Sequence, residues 1–219
     1  MASRPTLSRS IVILIGLTLA LGLPELPVRA WLAPQTTMTG HVEREAFFWA
    51  VTALIFLYVL VVERRGLSSI GLRVPTWKSV ASGVVAGVVL VAGFVAIFMF
   101  VMPALHLKPN AGAMAGLMHT PLWFRFMLVL RAAVFEEIAY RGYAIERVQE
   151  LTGSRAIAFV LSATAFTYAH VGYWGFGQLL IPAFGGVVLA GLYLWRRDLS
   201  ANMIAHFVAD GAGFLLGGG

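Results

Sequence analysis

The segment that decides the fold is VASGVVAGVVLVAGFVAIFMFVM, residues 80–102, which contains no Asp, Glu, Lys, Arg or His. A run of roughly 20 apolar residues is long enough to cross the hydrocarbon core of a bilayer as a helix. The rest of the chain is similar in kind, because 59% of its 219 residues are hydrophobic and only 12% are charged. A soluble domain cannot bury that much apolar surface, so the composition predicts a protein embedded in lipid.

Further apolar stretches predict an all-α, polytopic membrane bundle of about seven transmembrane helices, forming a single domain over residues 1–219. The predicted spans are residues 10–23, 46–62, 80–102, 122–145, 157–171, 179–195 and 199–216. The first span is short, and residues 28–30 would suit signal-peptide cleavage, but we expect a retained helix. Gly83 and Gly87 are spaced for close contact between helices. The absence of Cys excludes disulfides and a Cys nucleophile.

The basic residues predict how the bundle is oriented. Lys and Arg gather in cytoplasmic loops of membrane proteins, which also accounts for the net charge of +6 without nucleic acid as a partner. The pattern predicts a multi-pass membrane protein, of the inner membrane if bacterial, with a cytoplasmic N-terminus and an outside C-terminus. The loop 24–45, with His41, is expected on the outside. The residues expected on the cytoplasmic side are Arg4, Arg9, Arg64, Arg65, Arg73, Lys78, Arg141, Arg147, Arg155, Arg196 and Arg197.

A small set of ionisable residues lies within the predicted spans. Such groups cost several kcal/mol each inside a bilayer unless they are paired, so they indicate function by default. Between residues 156 and 195 the only one is His170, and the last span contains His206 and Asp210. The fourth span contains four, namely Arg131, Glu136, Glu137 and Arg141. Arg131 could be a counter-ion for the others or could extend towards the interface.

Spacing along the chain predicts that these groups meet. Glu136 lies 17 residues before Gly153 and His170 lies 17 residues after it. If the two spans form a hairpin that turns at Gly153, both side chains lie at the same depth, roughly 25 Å from the turn. His206 lies on a helix that enters from the same side, and Asp210 is one turn further on. We therefore expect three helices to bring their polar groups to one point.

Helical spacing also separates the two glutamates. Glu137 and Arg141, at i and i+4, are expected to pair on one face, either as a structural ion pair or within the site. Glu136 points away from Arg141 and is left free for chemistry. Phe166 lies one turn before His170 and is expected to pack against its ring.

A carboxylate and an imidazole in a cavity of low dielectric can share the proton of a water molecule and so create a hydrolytic nucleophile. A second His can donate to the oxyanion that forms. Alternatively, Glu136, His170 and His206 could bind zinc, because two His and one carboxylate form a known catalytic zinc site. The residues alone are compatible with both the metal-free mechanism and the zinc site.

The three motifs Glu136-Glu137-xxx-Arg141, Phe166-xxx-His170 and His206-xxx-Asp210 resemble those of the CAAX prenyl protease and bacteriocin-processing family, the CPBP or Abi intramembrane proteases. The resemblance covers residues 120–215, which would form the catalytic core. It implies a glutamate-type peptidase in which Glu136 and His170 activate water and His206 and Asp210 line the oxyanion side. We favour a metal-free site, with Zn²⁺ as the alternative.

The resemblance also implies a membrane-bound peptide substrate, which could be prenylated or could be a leader or C-terminal segment. Asp210 stands where the prenyl-protease branch has Asn. Because an ionised Asp cannot donate a hydrogen bond, Asp210 would have to be protonated or would orient His206 instead. Two other functions stay open for the same residues: a proton-coupled transporter and a catalytically silent membrane scaffold.

Overall fold

The computed structural model describes residues 6–26 and 37–216, and every regular element in these ranges is helical. Arg4 and the possible cleavage site at residues 28–30 lie outside the described residues. Short 3-10 turns are also present at Leu67–Ile70 and Phe176–Gln178. The main helices, numbered in chain order, are α1 Leu7–Glu25, α2 Met38–Val62, α3 Trp77–Ala104, α4 Ala111–Met118, α5 122–152, α6 Arg155–Trp174, α7 Leu180–Arg196 and α8 Leu199–Leu216.

The predicted all-α membrane bundle is confirmed. Helices α1, α2, α3, α6 and α8 are each long and apolar enough to cross a membrane, and α7 is a shorter apolar helix. The α5 helix crosses the same bundle but carries the charged motif in its middle. Many large apolar side chains are exposed on the outer surface of the bundle, particularly along α3, as expected for residues that contact lipid.

The second helix begins earlier than the sequence pattern predicts. Helix α2 begins at Met38, so the prediction of a loop up to residue 45 was wrong. Thr37 caps the helix, since its hydroxyl accepts a hydrogen bond from the Gly40 amide at 3.1 Å. The first turns of α2 are rich in charged residues, which is typical of a loop and led to the wrong prediction. In the structure, however, Glu45 is buried against another helix. The extension brings the polar start of α2 into the bundle.

The α5 helix changes its geometry at the two glutamates. It is an α-helix over Leu122–Glu136, a π-helix over Glu137–Ile145 and an α-helix again over Glu146–Thr152. All nine residues of the π-helical segment are buried. It ends at Gly153, which has a φ of +72° and so turns the chain into α6, as the predicted hairpin requires.

Small residues allow α8 to pack closely along α3. A Cβ atom on Gly83 would lie 2.7 Å from the Ala201 carbonyl oxygen, and one on Gly87 would lie 2.6 Å from Val208 Cβ. Both distances are shorter than any ordinary contact, so a larger residue at either position would push the two helices apart. The predicted close contact is therefore present, and it fixes the helix that carries His206.

A network of ion pairs, here called the basic-end network, ties the helices together where the loops rich in Lys and Arg lie. Glu63 accepts from Arg147 Nε at 2.9 Å and from the Tyr143 hydroxyl at 2.7 Å. Glu150 accepts from Arg65 Nη1 at 2.7 Å. Its other members are Arg9, which pairs with Glu150, and Glu146, which binds Arg197 and the Tyr193 hydroxyl. These contacts join α1, α2, α5 and α7.

Candidate active site

The polar residues face a cavity of about 850 Å³ in the half of the bundle away from the basic-end network. Its wall is mainly apolar, with side chains of α3 and α7 such as Phe94 and Ile181, which is typical of sites that bind organic ligands. Glu136, His170, His206 and Asp210 all line this cavity. Three helices, α5, α6 and α8, therefore bring the predicted groups to one place.

Glu136 is held through one carboxylate oxygen and free at the other. Its Oε1 atom lies 3.4 Å from Arg131 Nη1. Its Oε2 atom is buried and has no hydrogen-bond partner among the described residues. The same atom lies 3.9 Å from His170 Nε2 and 3.9 Å from His206 Nε2. A buried carboxylate oxygen without a partner is costly, so it marks a place for a further molecule.

His170 is fixed in one tautomer by its position at the junction of two helical stretches, Arg155–Ala169 and Val171–Trp174. Its Nδ1 atom lies 2.7 Å from the Phe166 carbonyl oxygen. A carbonyl can only accept, so Nδ1 carries the proton and donates it. In the neutral ring, Nε2 then presents a lone pair towards Glu136. The Phe166 ring lies 4.6 Å from the imidazole, in the predicted contact.

His206 lies between two carboxylates. Its Nδ1 atom is 2.7 Å from Glu137 Oε1, and its Nε2 atom is 3.4 Å from Asp210 Oδ2. Carboxylates accept hydrogen bonds, so both nitrogens can donate only when the ring is an imidazolium. Asp210 thus lies where it can orient His206.

Glu137 is completely buried and binds three partners. Its Oε1 atom also accepts from Arg141 Nη1 at 2.9 Å, so the predicted i,i+4 pair is present. Its Oε2 atom accepts from Asn202 Nδ2 at 3.0 Å, and the same amide nitrogen donates to the Leu189 carbonyl. Glu137 is therefore more than a partner of Arg141, because it also joins α5 to the helix that carries His206.

Arg141 itself has unused donors. Its Nε and Nη2 atoms are buried and have no hydrogen-bond partner in the part of the chain that the structure describes. Its guanidinium carbon lies 4.0 Å from the centre of the Phe166 ring, a favourable cation–π contact. Phe166 thus contacts both Arg141 and His170, which links two of the predicted motifs through one ring.

Three residues of the site, Arg131, Glu45 and Asn202, were missed or left undecided by the sequence. Arg131 is buried and makes a bidentate pair with Glu45, at 2.7 Å from Nε and 3.1 Å from Nη2. It is therefore a counter-ion within the cluster and does not extend to the interface. Asn202 was not identified either, because a single Asn four residues before His206 carries no distinctive pattern.

The spacing of the donors bears on the zinc alternative. Zinc would be held by Glu136, His170 and His206, but no group of three such residues in the described ranges is placed to bind a metal ion. Ligands about 2.0–2.1 Å from a tetrahedral zinc lie about 3.3 Å apart. The 3.9 Å gaps from Glu136 Oε2 to the two imidazoles are wider than this spacing.

The fold and this site define an integral membrane protein that holds a carboxylate and two imidazoles in a cavity beneath its surface. Residues 118–212, a little under half of the chain, match the family model Rce1-like, described as type II CAAX prenyl endopeptidase Rce1-like. The resemblance to the CAAX prenyl protease and bacteriocin-processing family is thereby confirmed; it is a family of membrane proteases. No curated protein and no solved structure gives a significant match.

Proposed function

We propose that the protein is an intramembrane endopeptidase that hydrolyses a peptide bond of a membrane-associated peptide. The observation that carries the proposal is the unpartnered Glu136 Oε2 atom, which faces two imidazole nitrogens at equal distance inside a cavity. The matched family supports a peptidase in general. The residues 120–215 would supply the chemistry, and the rest of the chain would support them.

In the proposed reaction, a water molecule lies between Glu136 Oε2 and His170 Nε2 and donates a hydrogen bond to each. Its oxygen attacks the peptide carbonyl carbon as Glu136 takes one proton. When the C–N bond breaks, Glu136 gives that proton to the leaving amine. The fixed tautomer of His170 orients the water for this attack.

His206 would stabilise the negative charge that develops on the carbonyl oxygen. As an imidazolium between Glu137 and Asp210 it has an Nε2 proton to donate. Asp210 then does not need to donate to the oxyanion, which removes the difficulty of an ionised Asp at this position. Arg131 would hold the other Glu136 oxygen and keep Oε2 turned towards the water.

The proposal is tested with purified protein in liposomes that carry acyl-anchored, quenched-fluorescent peptides of mixed sequence. Wild type should generate fluorescence and new peptide termini by mass spectrometry, whereas Glu136→Gln and His170→Ala should not. Glu150→Gln, a matched change outside the cavity, should cleave like wild type. Retained cleavage in both site variants would defeat the assignment.

Two further measurements separate the remaining alternatives. Metal analysis of the active protein, with a chelator added to the same assay, decides between the water and zinc versions, and we expect activity in metal-free protein. A transporter would show solute flux into these liposomes without new peptide termini. A scaffold would show neither, and a Glu136/His170 double variant would retain the cellular phenotype of wild type.

A further inference from the structure

The cavity belongs to one half of the bundle. Its walls come from Pro24 and Glu25 at the end of α1, from the first turns of α2 between His41 and Phe48, and from α4. On α5 and α6 they come from the parts furthest from Gly153, the turn at the basic end. Because neighbouring helices run in opposite directions, these segments all lie at the same end. This end is opposite to the basic-end network.

The cavity is closed towards the basic end. The residues that form its floor are almost fully buried, with exposed fractions of 0% for Leu90, 2% for Leu189, 3% for Tyr140 and 4% for Phe166. Beneath them lies the tightly packed core that includes Tyr143 and Tyr193. A peptide therefore cannot reach Glu136 from that direction without separating the packed helices.

Among the residues that the structure describes, none covers the cavity at the other end or along one side. Gly112, Gly116 and His119 line it and are exposed at the end of the bundle. Phe98 and Met99 of α3 also line it and have exposed fractions of 44% and 64% on the lipid-facing surface. The opening therefore joins the aqueous surface at α4 to the lipid beside α3.

The two ends differ strongly in basic residues. The end with the closed floor carries Arg9, Arg64, Arg65, Arg73, Lys78, Arg147, Arg155, Arg196 and Arg197 among the described residues. Within the same described ranges, the open end carries Arg44, Lys108 and Arg125. Lys and Arg near the ends of membrane helices mark the cytoplasmic side. The open end then faces away from the cytoplasm.

We propose that the cavity takes its substrate from the non-cytoplasmic side of the membrane. The substrate class is a peptide with an apolar, membrane-inserted segment whose scissile bond lies in the non-cytoplasmic half of the bilayer. The exposed apolar wall at Phe98 and Met99 would contact the inserted segment, while the polar flank leaves past His119. Cleavage of this substrate rests on the proposed function, but the side from which the cavity is reached does not.

The native chain has no Cys, so each substitution introduces one thiol. Ala113→Cys reports on the open end, Ala169→Cys on the inner cavity, and Ser68→Cys on the exposed surface at the basic end. Sealed membrane vesicles of both orientations are treated with a membrane-impermeant maleimide. In right-side-out vesicles we expect labelling of the thiols at positions 113 and 169 and none at position 68. In inside-out vesicles we expect labelling at position 68 and none at positions 113 and 169.

Labelling of 68 but not of 113 in right-side-out vesicles would overturn the proposal and indicate access from the cytoplasm. Labelling of 169 from both sides would overturn it as well, because the floor would not be closed. None of these results depends on peptide cleavage. Failure of the peptidase assay with the expected labelling would therefore reject the proposed function alone.

A second arm uses single-span reporter peptides reconstituted with wild-type protein, with the same candidate cleavage segment on either flank of the span. Only the reporter whose segment lies on the side labelled at 113 should be cut. Cleavage of the opposite reporter alone would contradict the proposed substrate class even if the labelling pattern is as expected.

Discussion

The cavity cluster and the basic-end network both bring carboxylates and arginines together, yet they are satisfied to different degrees. In the network, Glu63, Glu146 and Glu150 all bind donors through their carboxylates, and each is held by an arginine. In the cavity, Glu136 Oε2 is buried and has no hydrogen-bond partner within residues 6–26 and 37–216. Ion pairs alone therefore do not distinguish a structural site from a reactive one. We take the unpaired acceptor beside the cavity as the mark of the proposed reactive site.

The largest effect is expected from replacing the carboxylate that carries the unpaired oxygen, Glu136. Glu136→Gln should lower peptide cleavage by at least about 10³-fold, because the amide cannot take a proton from water. The melting temperature in detergent should stay within a few degrees of wild type, since Oε2 makes no hydrogen bond with the described residues. Cleavage kinetics and a melting curve on one preparation check both. An inactive but strongly destabilised variant would make Glu136 structural.

The neighbouring carboxylate should behave in the opposite way. Glu137→Gln leaves Arg141 buried without its charge partner, and loss of one member of such a pair costs about 3–5 kcal/mol. We expect a low yield of folded protein, measured by size-exclusion chromatography after extraction. The contrast with Glu136→Gln is the control, since the two changes are chemically identical. Normal yield with no activity would reverse the two roles.

A smaller effect is expected for the residues that hold Glu136 in place. Arg131→Lys and Glu45→Gln should each reduce kcat by roughly 10- to 100-fold while KM changes little, since they disturb the orientation of a catalytic group and not substrate contacts. Steady-state kinetics with one anchored peptide distinguish this from a general loss of folded protein. An unchanged kcat would exclude a positioning role for Arg131.

The smallest effect is expected in the basic-end network. Glu150 is partly exposed and pairs with Arg65 and Arg9, so Glu150→Gln should lower the stability by only about 0.2–1 kcal/mol. Its cleavage rate should equal that of wild type. A thermal melt and the same kinetic assay test this. A large loss of activity would mean that the two regions are coupled, which would remove the basis of the comparison.

The sequence predicted much of this arrangement because its main signals are local. The apolar runs and the equal spacing of Glu136 and His170 from Gly153 were sufficient to predict the bundle and the meeting of α5 with α6. Glu45 could not be predicted, because its pairing with Arg131 depends on how α2 lies against α5. The pairing of His206 with Glu137 could not be predicted either, since the rotation of α8 is set by its packing against Gly83 and Gly87.

The π-helical segment Glu137–Ile145 sets the angular relation between the two charged regions of α5. An α-helix turns by about 100° at each residue, whereas a π-helical turn, with its i→i+5 hydrogen bonds, holds more residues. Removing one residue from Glu137–Ile145 would therefore let this segment close into α-helical turns with little change in the orientation of Arg147 relative to Glu136. A one-residue deletion in the α-helical part Leu122–Glu136 has no such wide turn to absorb it and would rotate the preceding residues of α5, including Arg131, relative to Glu136.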